Sequence, residues 1–226
     1  MAEAIARALD MDAPVEDRLA TLADCTRSLA PAAAAAVDRM AERLRLAGAG
    51  ATSPQPGDLL PPFLLPDEAG HLVALEDLLE KGPVVVAFLR GHWCPFCRVT
   101  ARALAGAARQ IAAAGGSLVA ITPERRRYAT QLRNEAAMNA PVLSDIDNGY
   151  ALSLNLAFWV GAEMQKLMTS AGWDVAPSQG SDTWLLPIPA TFVVGTDGEV
   201  KARFVDPDYR KRMTIEDLLA VLKTAH

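Results

Sequence analysis

A run of six consecutive apolar residues, Val84–Leu89, is the feature that most limits the possible folds of this chain. The run follows a Gly-Pro pair and precedes two cysteines, Cys94 and Cys97, in CxxC spacing. A strand is apolar throughout when both of its faces are covered, which is typical of the central strand of an α/β sheet. Because Pro95 suits the first turn of a helix, the sequence predicts a buried strand, a short loop and a helix that begins at the CxxC.

From Phe63 onward, short apolar segments alternate with amphipathic ones, as strands and helices do in an α/β domain. Further strands are predicted at residues 117–121, 142–144, 190–194 and 200–205. Helices are predicted at residues 95–114 and 124–139, and a last one follows Thr214, whose side chain suits an N-cap. Asp197-Gly198, between the last two strands, is a strong hairpin signal. This order of elements predicts a mixed central sheet flanked by helices.

Residues 148–186 show no clear periodicity, and we expect helical pieces with a loop around residues 175–182. Phe158, Trp159 and Trp184 lie in this segment. Because the segment would cover the face that carries the CxxC, these aromatic rings belong either to the core, the commoner case, or to a pocket for an apolar substrate or a partner thiol protein.

Residues 1–47 differ in pattern and are predicted to form a helical hairpin, followed by a Gly- and Pro-rich linker at residues 48–62. Apolar residues recur every three or four positions on both sides of Pro31, which can start a helix but not continue one. The two stripes are Val15, Leu19, Leu22, Thr26 and Leu29, then Val37, Met40, Leu44 and Ala47. They must be buried either against the main domain, residues 63–226, or in a homodimer.

Charge and length exclude several classes of function. The chain has 226 residues, of which 51% are hydrophobic and 22% charged, a balance that supports a sizeable core. Its net charge of −5 gives no general attraction to nucleic acid, and the basic cluster at residues 125–127 is interpreted as a solvated helix start. The longest uncharged stretch, residues 148–162, is shorter than the roughly 17–25 residues of a membrane-spanning helix. The charged N-terminal residues resemble no secretory signal, so we expect a cytoplasmic protein.

The CxxC predicts thiol chemistry. Three cysteines do not form a disulfide framework in a chain of this length, and Cys25 is interpreted as a small buried residue of the hairpin. Helix N-termini lower the pKa of a thiol, so we expect Cys94 to be the low-pKa nucleophile and Cys97 to attack its adduct. A metal site is the weaker interpretation, because zinc takes four ligands in structural sites. The other candidate ligands are scattered: Cys25, His71, His92 and His226.

The residues around the CxxC each have two interpretations. Trp93 either shields the thiolate or packs in the core. Arg90 and His92 place positive charge near the first cysteine and lower its pKa. Alternatively, His92 is exposed without a partner, and Arg90 pairs with a carboxylate such as Asp145 or Asp197.

Four segments carry a resemblance to a known family: residues 63–67 (FLLPD), 90–97 (RGHWCPFC), 188–193 (IPATFV) and 197–198 (DG). From Pro62 to Phe204 the chain resembles the alkyl hydroperoxide reductase/thiol-specific antioxidant (AhpC/TSA) group of the thioredoxin-fold superfamily. Within that group it is similar to the peroxiredoxin-like branch with an RGxWCPxC motif. The resemblance implies a thioredoxin-like fold, thiol-based redox activity and no bound metal, flavin or haem.

The chain departs from the PxxxTxxC motif of a standard peroxiredoxin. With Cys97 at the cysteine of that motif, Arg90 stands at its proline and Cys94 at its threonine. Pro189 stands where such enzymes carry an arginine, and it matches the cis-proline of thioredoxins, an uncommon and built feature. Both departures favour a thioredoxin-type dithiol, with Cys94 as the nucleophile and Cys97 as the resolving thiol.

Three hypotheses follow. The first is a thiol peroxidase that reduces hydrogen peroxide or organic hydroperoxides through a CxxC dithiol/disulfide cycle and is restored by a thioredoxin- or glutathione-type thiol. The second keeps the same cysteines in a thioredoxin-type protein disulfide oxidoreductase. The third, ranked lowest, is a module that binds copper or zinc through the CxxC.

Overall fold

The computed structural model of the protein describes residues 1–173 and 175–225. The elements, in chain order, are α1 (Ala2–Asp10), α2 (Val15–Leu29), α3 (Pro31–Leu46), β1 (Leu64–Pro66), β2 (Leu72–Ala74), α4 (Leu75–Leu79), β3 (Val84–Phe88), α5 (Pro95–Ala113), β4 (Ser117–Thr122), α6 (Arg126–Glu135), β5 (Val142–Ser144), α7 (Gly149–Ser153), β6 (Ala157–Trp159), α8 (Ala162–Ser170), α9 (Val175–Gln179), β7 (Leu185–Pro187), β8 (Ala190–Val194), β9 (Val200–Val205) and α10 (Ile215–Leu222). A 3₁₀ turn, Ile146–Asn148, precedes α7. His226, one of the scattered metal-ligand candidates, lies outside the described residues.

The central sheet has five strands in the order β5-β4-β3-β8-β9. Strands β3, β4 and β5 are parallel, whereas β8 runs antiparallel to both β3 and β9. The predicted buried strand is confirmed, since every residue of β3 is buried. Phe88, at the carboxyl end of β3, pairs with Ile121 of β4 and with Ala190 of β8. The mixed sheet predicted from the order of elements is therefore present. The carboxyl end of its central strand, β3, leads directly into the loop that carries the CxxC.

Helix α5 begins and ends where the sequence predicts. Cys94 is its N-cap residue and Pro95 its first helical residue. At the other end Gly115 has a φ of +77°, and the N–H of Gly116 donates to the carbonyl of Ile111 at 3.0 Å. Glycine accepts this left-handed conformation without the strain a side chain would add. The Thr214 cap of α10 is confirmed as well, because its hydroxyl accepts a hydrogen bond from the N–H of Asp217 at 2.9 Å.

The N-terminal region contains three helices where a two-helix hairpin was predicted. The additional helix, α1, is tied to α2 by Arg18, whose guanidinium donates to the carbonyls of Ala8 and Leu9, each at 2.8 Å. Helices α1 and α2 pack against α5, and α3 packs against α8. The apolar stripes are therefore buried against the main domain, except for Leu29 and Ala47 at the helix ends, which are exposed. A homodimer stays a prediction.

The segment predicted as a linker, residues 48–62, follows the edge strand β9 closely. Arg203 of β9 donates to the carbonyls of Ser53 at 3.0 Å and Gly50 at 3.2 Å. Further along, the N–H of Leu60 donates to the carbonyl of Gly198 at 3.0 Å. The division into an extension, a linker and a main domain stays a prediction, but the linker is packed against the sheet.

Several elements differ from the sequence-based expectation. Residues 175–179 form α9 inside the predicted loop, and α6 spans only residues 126–135 of the predicted 124–139. The β1–β2 and β6–β7 pairs and the short helix α4 were not predicted, because segments this short seldom show a period. Within the described residues, no helix is long and apolar enough to cross a membrane.

Candidate active site

The loop that joins β3 to α5 positions the two cysteines. Gly91 in this loop has a φ of +140°, and a Cβ there would lie 2.6 Å from the carboxylate of Glu124. Only glycine fits this turn without strain. The loop brings the chain back so that the N–H of Cys94 donates to the carbonyl of Gly91 at 3.2 Å. Cys94 thus caps α5, and Cys97 lies in the first turn of that helix.

Both cysteines are free thiols whose residues are fully buried. Two arginines converge on their sulfur atoms. The Nη2 of Arg90 donates to the Sγ of Cys94 at 3.0 Å, and the backbone N–H of Arg90 donates to the Sγ of Cys97 at 3.3 Å. The Nη2 of Arg212, from the loop after β9, lies 3.8 Å from the Sγ of Cys97. The site therefore encloses two sulfur atoms and two cationic groups.

The two thiols differ in acidity. Burial, together with the hydrogen bond to Cys97, raises the pKa of Cys94 well above its usual value, and the charge of Arg90 only partly opposes this. Burial also acts against ionisation of Cys97, but the hydrogen bond from Cys94 and the charges of Arg212 and Arg90 outweigh it and hold the pKa of Cys97 well below its usual value. The sequence predicted the lowered pKa at Cys94, whereas these directions assign it to Cys97 of the two thiols.

Of the two interpretations of Arg90, the structure has the one that places its charge next to Cys94, and aromatic rings rather than a carboxylate hold the guanidinium. Its guanidinium carbon lies 3.5 Å from the ring centroid of Tyr209 and 5.2 Å from that of Trp93. Asp145 instead accepts hydrogen bonds from backbone N–H groups at the start of α7, and Asp197 pairs with Lys201. The Nε atoms of Arg90 and Arg212 are buried, and neither has a hydrogen-bond partner among the residues described.

His92 has a partner, contrary to the expectation of free exposure. Its Nδ1 lies 2.7 Å from one carboxylate oxygen of Glu124, and its backbone N–H donates to the other at 2.7 Å. The imidazole ring also stacks on Tyr128, with ring centroids 4.7 Å apart. Glu124 is completely buried, so this contact holds the loop to the end of β4 and places no imidazole charge on a sulfur atom by direct contact.

Trp93 and Pro95 flank Cys94 in the chain, whereas Pro189 lies far along it, directly before β8. Trp93 is partly buried, with its ring centroid 6.4 Å from that of Trp173. Pro189 is buried directly before β8, at the same end of the sheet as the loop. Its peptide bond is trans, since the described residues contain no cis peptide bond. The expected cis-proline geometry is therefore absent at Pro189.

Other candidates from the sequence lie elsewhere. Cys25 is half-buried on α2, away from the CxxC in the chain. Phe158 and Trp184 are buried in the core, and Trp159 is half-exposed. None of these three aromatic residues lines the cavity next to Arg90, whose aromatic lining is Phe96, Trp173 and Tyr209. Within residues 1–173 and 175–225, no three His, Cys, Asp or Glu side chains cluster as metal ligands would.

Sequence reasoning missed three residues of the site: Glu124, Tyr209 and Arg212. Glu124 follows β4, the parallel neighbour of β3, and parallel strands end at the same edge of a sheet. That rule could have placed Glu124 beside the loop. Tyr209 and Arg212 come from an irregular loop after β9, and no periodicity connects them with the CxxC more than a hundred residues earlier.

The fold and the site define a class of protein: a thioredoxin-like mixed sheet whose central strand leads into a redox-capable cysteine pair at a helix start. The sequence model of the AhpC/TSA family matches residues 56–203. The chain therefore belongs to the AhpC/TSA family and is a thiol-dependent oxidoreductase of the peroxiredoxin kind. No curated protein matches the chain.

Solved structures with the same fold include three peroxiredoxins. Peroxidoxin BcpB from Mycobacterium tuberculosis has a TM-score of 0.59 and 24% identity, and the match covers 76% of this chain and 99% of that one. A cysteine-to-serine mutant of peroxiredoxin 6 from Arenicola marina has a TM-score of 0.57 and 15% identity, with 74% and 71% covered. Peroxiredoxin Q from Xanthomonas campestris has a TM-score of 0.52 and 15% identity, with 72% and 90% covered.

Proposed function

We propose that the protein reduces hydroperoxides through a dithiol/disulfide cycle of Cys94 and Cys97. The observation that carries the proposal is the pair of guanidinium groups, of Arg90 and Arg212, that face the two sulfur atoms without a carboxylate to neutralise them among the described residues. A thiolate is the reactive form of a cysteine, and nearby cations favour it. The site is therefore built to keep one thiolate in a buried position.

In the first step of the cycle, the Cys97 thiolate attacks the terminal oxygen of the hydroperoxide. An S–O bond forms, the O–O bond breaks, and the departing alkoxide takes the proton of the Cys94 thiol, leaving an alcohol and a sulfenic acid. The Nε–H groups of Arg90 and Arg212 supply donors for the developing charge. Standard peroxiredoxins carry an arginine at the position of Pro189. In this chain, Arg90 and Arg212 take over the role of that arginine.

In the second step, the Cys94 thiolate attacks the sulfur of the sulfenic acid. An S–S bond forms, and hydroxide leaves and is protonated to water. A thioredoxin- or glutathione-type thiol then supplies two electrons and two protons and restores the dithiol. We propose that this reductant and the protein share the cytoplasm. Both cysteines are thus catalytic, with Cys97 rather than Cys94 as the attacking sulfur because its pKa is the lowered one.

Stopped-flow fluorescence of the reduced protein mixed with hydroperoxide tests the proposed activity. Trp93 directly precedes Cys94 and reports its oxidation. We expect a second-order rate constant far above that of free cysteine, and its loss in Cys97→Ser. All variants carry Cys25→Ala, so that the third thiol does not react. A rate no faster than that of free cysteine for every hydroperoxide would remove the peroxidase assignment.

Disulfide exchange with a protein substrate is the second candidate, favoured by the CxxC spacing. Such exchange requires a partner thiolate to reach one of the sulfur atoms, as does the restoring step of the peroxide cycle, so burial does not separate the two candidates. We place disulfide exchange second because the chain belongs to the AhpC/TSA family. Catalysis of insulin reduction in the absence of any fast reaction with hydroperoxide would reverse this order.

Metal that co-purifies at one equivalent per chain, and that is lost in Cys94→Ala, would support the metal-binding alternative instead.

A further inference from the structure

An apolar cavity of about 430 Å³ lies next to the cysteine site. Ligand pockets in proteins have volumes of about 300–1,000 Å³, with mostly apolar walls and few polar groups. The walls of this cavity include Val37, Met164, Met168 and Trp173. Arg90 is the one charged side chain among the described residues that line it. The cavity thus suits an uncharged hydrocarbon group.

The N-terminal helices form one wall of this cavity. Met1 and Ile5 contribute from the α1 end, and Ala33 and Val37 contribute from α3. These residues precede the segment 56–203 that matches the AhpC/TSA family, so this wall belongs to the chain's own extension. The opposite wall comes largely from α8. An ion pair between Arg39 and Glu163 at 2.5 Å joins α3 to α8.

Arg90 connects the cavity to the sulfur atoms. Arg90 lines the cavity, and its guanidinium lies against the ring of Tyr209 and donates to the Sγ of Cys94 at 3.0 Å. Its Nε is buried without a hydrogen-bond partner among the described residues. A hydroperoxide whose oxygen atoms meet this guanidinium would extend its hydrocarbon group into the cavity. Met164 and Met168 are flexible and can adapt to an irregular group.

We propose that this cavity binds the organic part of the substrate, and that the N-terminal extension thereby selects hydroperoxides with a bulky apolar group, branched or aromatic, over hydrogen peroxide. This inference rests on the proposed hydroperoxide reduction. The balance of atoms and electrons is that of the cycle given above, with the bulky alcohol as the product. Residues 1–47 are in this view part of the substrate site and not only a cover for the sheet.

Cumene hydroperoxide and hydrogen peroxide, compared as substrates of the full chain, test the inference. We expect the reduced protein to react with cumene hydroperoxide about tenfold faster or more, the range that apolar contacts give in specificity. Ala33→Phe fills the cavity from α3 and lowers this ratio about tenfold. The matched control, Ala35→Phe, adds the same ring to the exposed face of the same helix and leaves both rate constants unchanged.

A second variant, Met168→Trp, fills the cavity from α8 and must lower the same ratio, which keeps the test independent of any folding defect in Ala33→Phe. Fast reaction with hydrogen peroxide but no preference for cumene hydroperoxide would overturn this inference and leave the proposed function standing. Equal loss of both rate constants in the cavity variants would also overturn it. Slow reaction with both substrates in the unaltered protein would overturn the proposed function and this inference together.

Discussion

At the scale of single residues, the site depends on buried cations. Arg212 is fully enclosed, and burial lowers its pKa, although the neighbouring cysteines act in the opposite direction. Its charge is nevertheless one of the causes that lower the pKa of Cys97. Removing this guanidinium from water costs several kcal/mol of free energy, as for any buried ion. Hydrogen bonds from Arg212 to the carbonyls of Tyr209 and Lys211 offset part of that cost, and a thiolate in the same enclosure supplies the opposite charge.

Replacement of Arg212 by Met should raise the pKa of Cys97 and slow the reaction with hydroperoxide at neutral pH by about tenfold or more, since one pKa unit corresponds to a factor of ten in thiolate population below the pKa. Thiolate absorbance in the ultraviolet, followed against pH, measures the pKa directly. Arg210→Met is the control, because Arg210 pairs with Asp208 and Asp38 and contacts neither sulfur atom. An unchanged pKa in Arg212→Met would show that this cation does not act on the thiol.

The lowered pKa of Cys97 also predicts the pH profile. A free cysteine loses its thiolate as the pH falls below about 8.5. Because the pKa of Cys97 is held well below its usual value in the folded protein, the rate constant with hydroperoxide should begin to fall at a lower pH than that of free cysteine. Ionisation of Cys97 also stabilises the folded protein. Its contribution to the free energy of unfolding is fully present above the pKa of the thiol in the unfolded chain and is lost as the pH falls through the pKa in the folded protein. A rate that declines from pH 8.5 like that of free cysteine would contradict the assignment.

At the scale of elements, the loop between β3 and α5 determines the site, and Gly91 determines the loop. Gly91→Ala should lower the free energy of unfolding by about 1–3 kcal/mol, because the residue would need a strained backbone and would meet the carboxylate of Glu124. Gly106→Ala is the matched control. Gly106 lies inside α5 with no atom within 4 Å of the added Cβ, so the same change should stabilise by about 0.5–1 kcal/mol. Urea denaturation of both variants measures the contrast, and equal effects would contradict the strain at Gly91.

Helix α1 packs on α2 and α5 and is also held by hydrogen bonds from Arg18, a residue that the sequence pattern does not mark. Arg18→Met removes the hydrogen bonds to the carbonyls of Ala8 and Leu9 and should increase amide hydrogen exchange across α1 while exchange in α5 stays unchanged. Arg27→Met, which removes only an exposed ion pair with Asp38, serves as the control. If α1 is protected equally in both variants, another contact holds it.

At the scale of the whole molecule, local sequence patterns predicted the central architecture. They did not predict the contacts between residues far apart in the chain. The apolar run of β3, the N-cap Thr214 and the glycines after α5 each carry their structure in neighbouring residues, and all three are confirmed. The acidity of the cysteines depends on Arg212, which lies far along the chain in a loop without periodicity. Local reasoning from the helix N-terminus predicted the lowered pKa at Cys94 and could not include the charge of Arg212 next to Cys97.

The measurement that tests the account most directly is a single-turnover reaction of Cys94→Ser and Cys97→Ser, each with Cys25→Ala, with one equivalent of hydroperoxide. Intact-mass spectrometry with a sulfenic-acid trap identifies the product. The account predicts rapid formation of a trapped sulfenic acid on Cys97 in Cys94→Ser, and no fast reaction in Cys97→Ser. Rapid sulfenic acid formation on Cys94 in Cys97→Ser, with an inert Cys94→Ser, would contradict it and assign the attack to the other sulfur.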